Sequence, residues 1–410
     1  MSGVQRRSLL IAGGVAASLL ASGAPAQAGN AVHNVGPRAP MRGDSSIVVE
    51  WNKFLLAIVR TPGQQPATIH PTRSFAMMHI AMREATRSRD RWTSAVAAAA
   101  QAAHDVVVAL YPGQAAALDA RLIANLAGLP DDARRRGVRA GMLAAAAILR
   151  ARTGDGSAAT PPPHLAGTMP GQWRPAPPAF AAAVFTHWAA VKPFVLESAR
   201  QFRPAPYPSL NNRIYAAATA EVRLLGRDIS MARSADQTQQ AKFWAAPIWN
   251  YWYEIAQDLI TRHGLGVDAA AEVFARLGVV LADSVIAFYE AKYHYSIWRP
   301  VTAIEQAVSG GDPMWLPLAN TPADPSYPGA HSVVSQAAAV VLRKTFGPYP
   351  SVTVTSEVLA GITRSFRSLQ DIADEAGLSR IVAGVHTRLD HTAGQVQGQH
   401  VAAFTGRHFR

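Results

Sequence analysis

Three short segments carry side chains whose types and spacing suit the holding of a tetrahedral oxyanion. The first, KYHYSIWRP, sets Lys292 ahead of Arg299, with Pro300 closing the segment. Seven residues at about 3.6 per turn return to nearly the same angle, so a helix running to the proline puts both cations on one face. Taken alone, the pair also reads as cations complementing the C-terminal end of a helix dipole. The second, DPSYPGAHS, runs from Asp324 to Ser332 and opens into an apolar helix near His331. Its Pro328-Gly329-Ala330 run leaves the N–H groups of Gly329 and Ala330 free at a helix N-terminus, an anion site that needs no side chain. A plain N-terminal cap with a surface histidine is the other reading. The third, SRIVAGVHTRLD, has Arg380 before His386 and Asp390 one helical turn after it. Asp390 can take the Nδ1–H of His386 and leave Nε2 aimed as nucleophile or ligand. Alone, such a pair also reads as a structural hydrogen bond.

Motif by motif, the three segments resemble the superfamily of type 2 phosphatidic acid phosphatases and vanadium-dependent haloperoxidases. Its signature runs Lys-x6-Arg-Pro, Pro-Ser-Gly-His and Ser-Arg-x5-His-x3-Asp. Lys292, Arg299 and Pro300 match the first element, and Ser379, Arg380, His386 and Asp390 match the third. The middle element is matched only at Pro328 and His331, because Gly329 and Ala330 stand where the family has serine and glycine. One hydroxyl contact to the anion is thereby lost, with Ser326 and Ser332 as candidates to compensate. The stretches VVEWNKFLLAIVR, RSFAMMHIAMREA, GTMPGQWRPAPP and RSADQTQQAKFW look like the soluble, exported haloperoxidase-type branch.

The resemblance implies an all-α fold of helical bundles and vanadate as cofactor, with phosphate able to occupy the same site. Lys292, Arg299 and Arg380, with the amides at Gly329 and Ala330, would hold the anion. His386 would be the nitrogen ligand to vanadium, oriented by Asp390. Lys292 would polarise the peroxide, and His331 would be the acid–base group. The implied enzyme oxidises halide with hydrogen peroxide to halogenate an organic acceptor. Two alternatives stay open. One is an exported phosphomonoesterase with His386 as the nucleophile and His331 protonating the leaving alcohol; the other is an oxyanion-binding protein without turnover.

The elements that must position these residues read as helices. Ile47, Trp51, Phe54, Leu55 and Ile58 fall three and four apart, a second helix follows Pro71, and Ala-rich helices are expected over 94–110, 114–127 and 131–152. Residues 154–208 are rich in Gly and Pro and predict a long connection packed by Trp173, Trp188 and Phe202. Helical spacing resumes over 211–225, 236–262 and 268–293, and again over 331–345 after a Pro/Gly-rich connector. Only short stretches such as Val352 to Val354 read as extended, and after Gly347 and Pro348 a helix is expected to about Ala376, then a break at Gly377 and a final stretch. This predicts a single helical domain over 29–410, its active-site half at about 268–410.

Composition narrows the chemistry. The 410 residues include 39 Lys+Arg against 27 Asp+Glu, for a formal charge of +12, and no cysteine. Thiolate metal sites, disulfides and cysteine nucleophiles are therefore excluded. Only five of the basic residues are lysines, and the arginines are scattered without a basic stripe, which argues against a nucleic-acid partner. At the N-terminus, Arg6-Arg7 precedes an apolar run from Leu9 to Ala21 and then Ala26-Gln27-Ala28. This looks like a twin-arginine export signal over residues 1–28, the run being shorter than the roughly 20 residues that span a bilayer. The expectation is a periplasmic or extracellular protein acting on small molecules, without a permanent membrane span; no oligomeric state is assigned.

Overall fold

The computed structural model describes residues 45–87, 90–307 and 310–410, and the export-signal reading of residues 1–28 lies outside them. The first helices are α1 (Ser46–Arg60), α2 (Pro71–Arg87), α3 (Ala95–Leu110), α4 (Ala115–Leu126) and α5 (Asp131–Ala151). The apolar stripe of α1 is buried at Ile47, Trp51, Leu55 and Ile58, and the alanines 97–100, 102 and 103 of α3 are fully buried. Small side chains let helices approach closely, and α2, α3 and α5 pack against one another there.

Residues 152–212 connect this bundle to the rest with no α-helix and a single turn of 3-10 helix at Trp188–Ala190. Trp173 and Trp188 are buried, and Phe202 packs edge-on to Phe404, as the composition predicts. Two buried carboxylates strap the connection down. Asp155 accepts from Arg73 Nε and Arg152 Nε, each at 2.8 Å. Asp283 accepts from the backbone N–H groups of Phe194, Val195 and Leu196 at 2.6, 2.8 and 3.0 Å. Burial raises Asp283 to about 6 despite those amides.

The second half begins with α6 (Arg213–Leu225), α7 (Ala235–Phe243), α8 (Ile248–Arg262) and α9 (Val267–Tyr295). It continues with α10 (Pro300–Glu305), α11 (Ala330–Phe346), a hairpin of β1 (Val352–Thr355) and β2 (Thr363–Phe366), α12 (Leu369–Val382) and α13 (Arg388–His408). Among the described residues no helix is long and apolar enough to cross a membrane. The 29-residue α9 is buried on nearly all sides and touches α2 as well as α11 and α13, so it is the common wall of both groups of helices.

Four expectations need correction. The stretch 236–262 is two helices, because Pro247 has no N–H to continue the first and takes the cap position of the second. The helix expected after Gly347 starts only at Leu369; the β-branched Val352-Thr353-Val354-Thr355 pairs instead in register with 363–366. Nor does Gly377 break α12, since a Cβ there would lie 2.5 Å from the His391 ring, so this glycine permits close packing. Finally, Lys292 and Arg299 do not share one helix, for α9 ends at Tyr295.

The break in α12 falls instead at Ala383-Gly384. Gly384 has φ +82°, and a Cβ there would lie 2.3 Å from the Gly226 carbonyl oxygen and 2.8 Å from Pro317 Cβ. Gly361 shares the positive φ, at +77°, but faces open space. Gly384→Ala is therefore expected to cost at least about 2 kcal/mol, and Gly361→Ala only the roughly 1–2 kcal/mol backbone penalty. Chemical denaturation of the two variants checks this; equal losses would mean that the Gly226 contact relaxes freely.

Candidate active site

Lys292 lies in the last turn of α9 and is fully buried. Ser296 then adopts a left-handed conformation with φ 49°, and its N–H closes the helix on the Lys292 carbonyl at 2.8 Å. This turn folds the chain back so that Arg299 becomes the cap residue of α10. The cations meet through a turn and not along a helix face. The turn is held from outside by the long connection, with Trp173 N–H donating to Ser296 O at 2.7 Å and Trp298 N–H to Gly171 O at 2.9 Å. Ser326 N–H donates to Ile297 O at 2.9 Å, which brings in the second motif.

Both cations bond that motif. Lys292 Nζ donates to Pro325 O, to Ser326 O at 3.2 Å, and to the Asp324 carboxylate, whose Oδ2 is 3.2 Å away. Arg299 Nε donates to Asp324 O at 2.8 Å, Nη1 to Val385 O at 2.8 Å, and Nη2 to Asp324 Oδ1. Burial lowers Lys292 to about 8, with Asp324 opposing. Burial also works against the Asp324 charge, yet Lys292 and Arg299 outweigh it and hold that carboxyl below its ordinary range.

His386 precedes Thr387, the N-cap of α13. Thr387 and Asp390 form a reciprocal capping box, in which Asp390 Oδ2 accepts from Thr387 N–H at 2.7 Å. The same oxygen accepts from Ser326 Oγ at 2.7 Å and lies 3.2 Å from His386 Nδ1. The capping role and the orienting role thus belong to one carboxylate. Burial, then Arg299, lowers His386 to about 3 against the pull of Asp390, so the imidazole is neutral at neutral pH. Asp390 takes the Nδ1–H, and Nε2 keeps its lone pair, 3.3 Å from the Arg299 Nη1 donor.

Arg380, near the end of α12, is buried, and its Nη1 has no hydrogen-bond partner. Burial lowers it to about 10, with Arg299 adding to the effect. His331 Nε2 bonds the Trp244 carbonyl at 2.9 Å, and burial together with Arg380 pushes its pKa well below the ordinary value. Gly329 corrects the reading of free amides, because its N–H donates to Asp390 O at 2.9 Å. Ala330 opens α11, where the helix itself supplies no acceptor for its N–H. Neither candidate serine is uncommitted: Ser326 Oγ bonds Asp390, and Ser332 Oγ bonds His391 Nδ1 at 2.8 Å.

The residue that sequence reasoning missed is Asp324. In the sequence it only opens the second segment, and its acidic type directly before Pro325 is the available signal. The arrangement fits an oxyanion whose central atom accepts a nitrogen ligand. Buried Lys292 and Arg380 both feel the charge of buried Arg299, one Arg380 guanidinium nitrogen is unpartnered, and an unprotonated His386 Nε2 lies 3.3 Å from Arg299 Nη1. Vanadate and phosphate share that tetrahedral shape.

A family model, the VCPO second helical-bundle domain, matches residues 272–410, which hold all three motifs. A solved bacterial vanadium-dependent iodoperoxidase is 25% identical, with a TM-score of 0.80 over 91% of this chain and 99% of that one. These likenesses support the vanadium haloperoxidase and type 2 phosphatidic acid phosphatase superfamily. A holo-form bacterial vanadium-dependent chloroperoxidase has the same fold at 17% identity and TM-score 0.62, covering 90% of this chain and 96% of that one. Vanadium chloroperoxidase of Curvularia inaequalis is 24% identical over 231 residues, a match spanning 40% of this chain and 38% of the curated relative's length.

Gly329, where the superfamily pattern has serine, has φ −74°, which any residue adopts. A Cβ there would lie 3.3 Å from Asp390 O, a contact relieved by a shift of a few tenths of an ångström. Gly329→Ser is expected to fold and to bind orthovanadate or phosphate roughly ten- to a hundredfold more tightly, since a hydroxyl bonded to a charged group contributes about 1.5–3 kcal/mol. Calorimetry on the folded variant checks this, and unchanged affinity would mean that the hydroxyl bonds the protein instead.

Proposed function

We propose that this protein is a vanadium-dependent haloperoxidase-like enzyme that oxidises halide with hydrogen peroxide. The observation that carries the reading is the buried Arg380 with its unpartnered Nη1, beside Lys292, Arg299 and the His386–Asp390 pair. A buried guanidinium without a partner is costly, and a bound oxyanion relieves it. The likeness over nearly the whole chain to a bacterial vanadium-dependent iodoperoxidase supports the peroxidase branch.

In this reading Lys292, Arg299 and Arg380 would hold the oxygens of vanadate, and His386 Nε2 would be its nitrogen ligand. Bound vanadate supplies a Lewis acid on which hydrogen peroxide is activated toward halide. Asp390 keeps His386 in the tautomer that presents Nε2. His331, kept neutral by burial and held through Nε2 on the Trp244 carbonyl, would exchange a proton with the incoming peroxide. Lys292 would place positive charge against the peroxide and polarise it.

Protein freed of phosphate and loaded with vanadate should halogenate an activated organic acceptor when given hydrogen peroxide and iodide or bromide, more readily than with chloride. His386→Ala should abolish this, and phosphate should inhibit. The same preparation without vanadate is assayed on a phosphomonoester. Hydrolysis without halogenation would transfer the reading to a phosphatase with His386 as nucleophile, and tight anion binding with neither activity would leave a binding protein.

We also propose export by the twin-arginine route, supported by Arg6-Arg7, the apolar run and Ala26-Gln27-Ala28. Secreted material should begin near Gly29 by mass spectrometry, and replacing Arg6-Arg7 with Lys-Lys should stop secretion. Secretion that continues unaffected would overturn the route.

A further inference from the structure

Lys292 and Arg299 are buried with their donors already bonded. An ammonium carries three N–H donors and a guanidinium five. Lys292 commits its donors to Pro325 O, Ser326 O and Asp324 Oδ2. Arg299 directs donors to Asp324 O, Val385 O, His386 Nε2 and Asp324 Oδ1. The Asp324 carboxylate therefore sets one oxygen on each cation. Two oxygens of a tetrahedral anion would make the same contacts.

We propose that the Asp324 carboxylate is a tethered stand-in for the oxyanion, which must be displaced before vanadate or phosphate takes the Lys292 and Arg299 donors, so that residue 324 sets how tightly the site holds its anion. This rests on the oxyanion reading of the pocket. The turn does not need the carboxylate to stay in place. Asp324's own carbonyl accepts from Arg299 Nε at 2.8 Å, and Lys292 holds the carbonyls of Pro325 and Ser326. The side chain can leave while the backbone remains anchored. Arg380, with Nη1 unpartnered, is the cation an incoming anion meets without competition. The charges point the same way: an ionised Asp324 left beside the bound anion repels it, whereas a neutral residue there leaves three cations to the anion alone.

A purely positioning role for Asp324 predicts the opposite sign, since releasing Lys292 and Arg299 from their guide would then weaken anion binding. Calorimetry with inorganic phosphate and with orthovanadate on the full-length wild type, Asp324→Asn and Asp324→Ala separates the two. Both variants should bind phosphate at least tenfold more tightly than wild type. They should also melt lower than wild type in phosphate-free buffer and gain more in Tm when phosphate is added. Adding Arg380→Ala to Asp324→Asn should remove the gain. Equal or weaker binding by both variants, with wild type binding, overturns the proposal and leaves the oxyanion reading standing. A gain that survives Arg380→Ala also overturns it, because the anion then sits elsewhere. Absence of binding by wild type and both variants overturns the oxyanion reading itself, and the proposal with it.

Discussion

Three cations buried in one pocket are the constraint around which this half of the molecule is arranged. Taking each out of water costs several kcal/mol, about the scale of a domain's whole stability when summed. The chain offsets this for Lys292 and Arg299 mainly with backbone carbonyls, those of Asp324, Pro325, Ser326 and Val385. Those carbonyls belong to two separate loops, the turn before α11 and the link between α12 and α13. The bonds that solvate the cations are therefore the bonds that join three motifs distant in sequence. Charge and connectivity are one set of interactions, and Arg380 is the cation left outside it.

The His386–Asp390 pair extends the same economy. Asp390 uses one carboxylate oxygen to cap α13, to accept from Ser326 and to orient the imidazole, while its carbonyl takes the Gly329 N–H. The start of α11 and the start of α13 are thus fixed against each other through a single residue. A rotation of the Asp390 carboxylate would break the cap and the bond to the imidazole together. The Gly329 amide consequently supports the scaffold and not the anion, which leaves the anion's holding to side chains and the Ala330 amide.

The sequence made the helices legible because apolar spacing at three and four residues survives any tertiary arrangement, as in α1 and α9. Motif spacing likewise exposed Lys292, Arg299, Arg380, His386 and Asp390, since those intervals are covalent. What it did not expose are features set by distant partners. A serine at positive φ has no characteristic neighbours, so the turn at Ser296 was invisible and the two cations were assigned to one helix face. The bond from Gly329 to Asp390 depends on where a residue 61 positions later comes to lie. Asp324 was hidden for the same reason: an aspartate before proline reads as a turn former until its two cations are seen in space. Gly377 looked like a helix break because nothing local reports the His391 ring against it.

With the turn's hydroxyl absent and its first amide engaged, the grip on an anion is mostly charge, and charge alone has little directional preference. Direction has to come from groups of fixed geometry. Two are present, the planar Arg380 guanidinium, suited to paired contacts with two oxygens, and the His386 lone pair. They are coupled by backbone, for the N–H groups of Val385 and His386 both donate to the Arg380 carbonyl, at 3.1 and 3.2 Å. This closes the end of α12 into a tight link, and the positive φ of Gly384 is what lets the chain make it. The spacing between Arg380 and His386 is therefore rigid at the point where the pocket has fewest other means of fixing an anion's orientation. The residues between them, which carry no chemistry of their own, set the angle at which the anion's oxygens and its central atom are met.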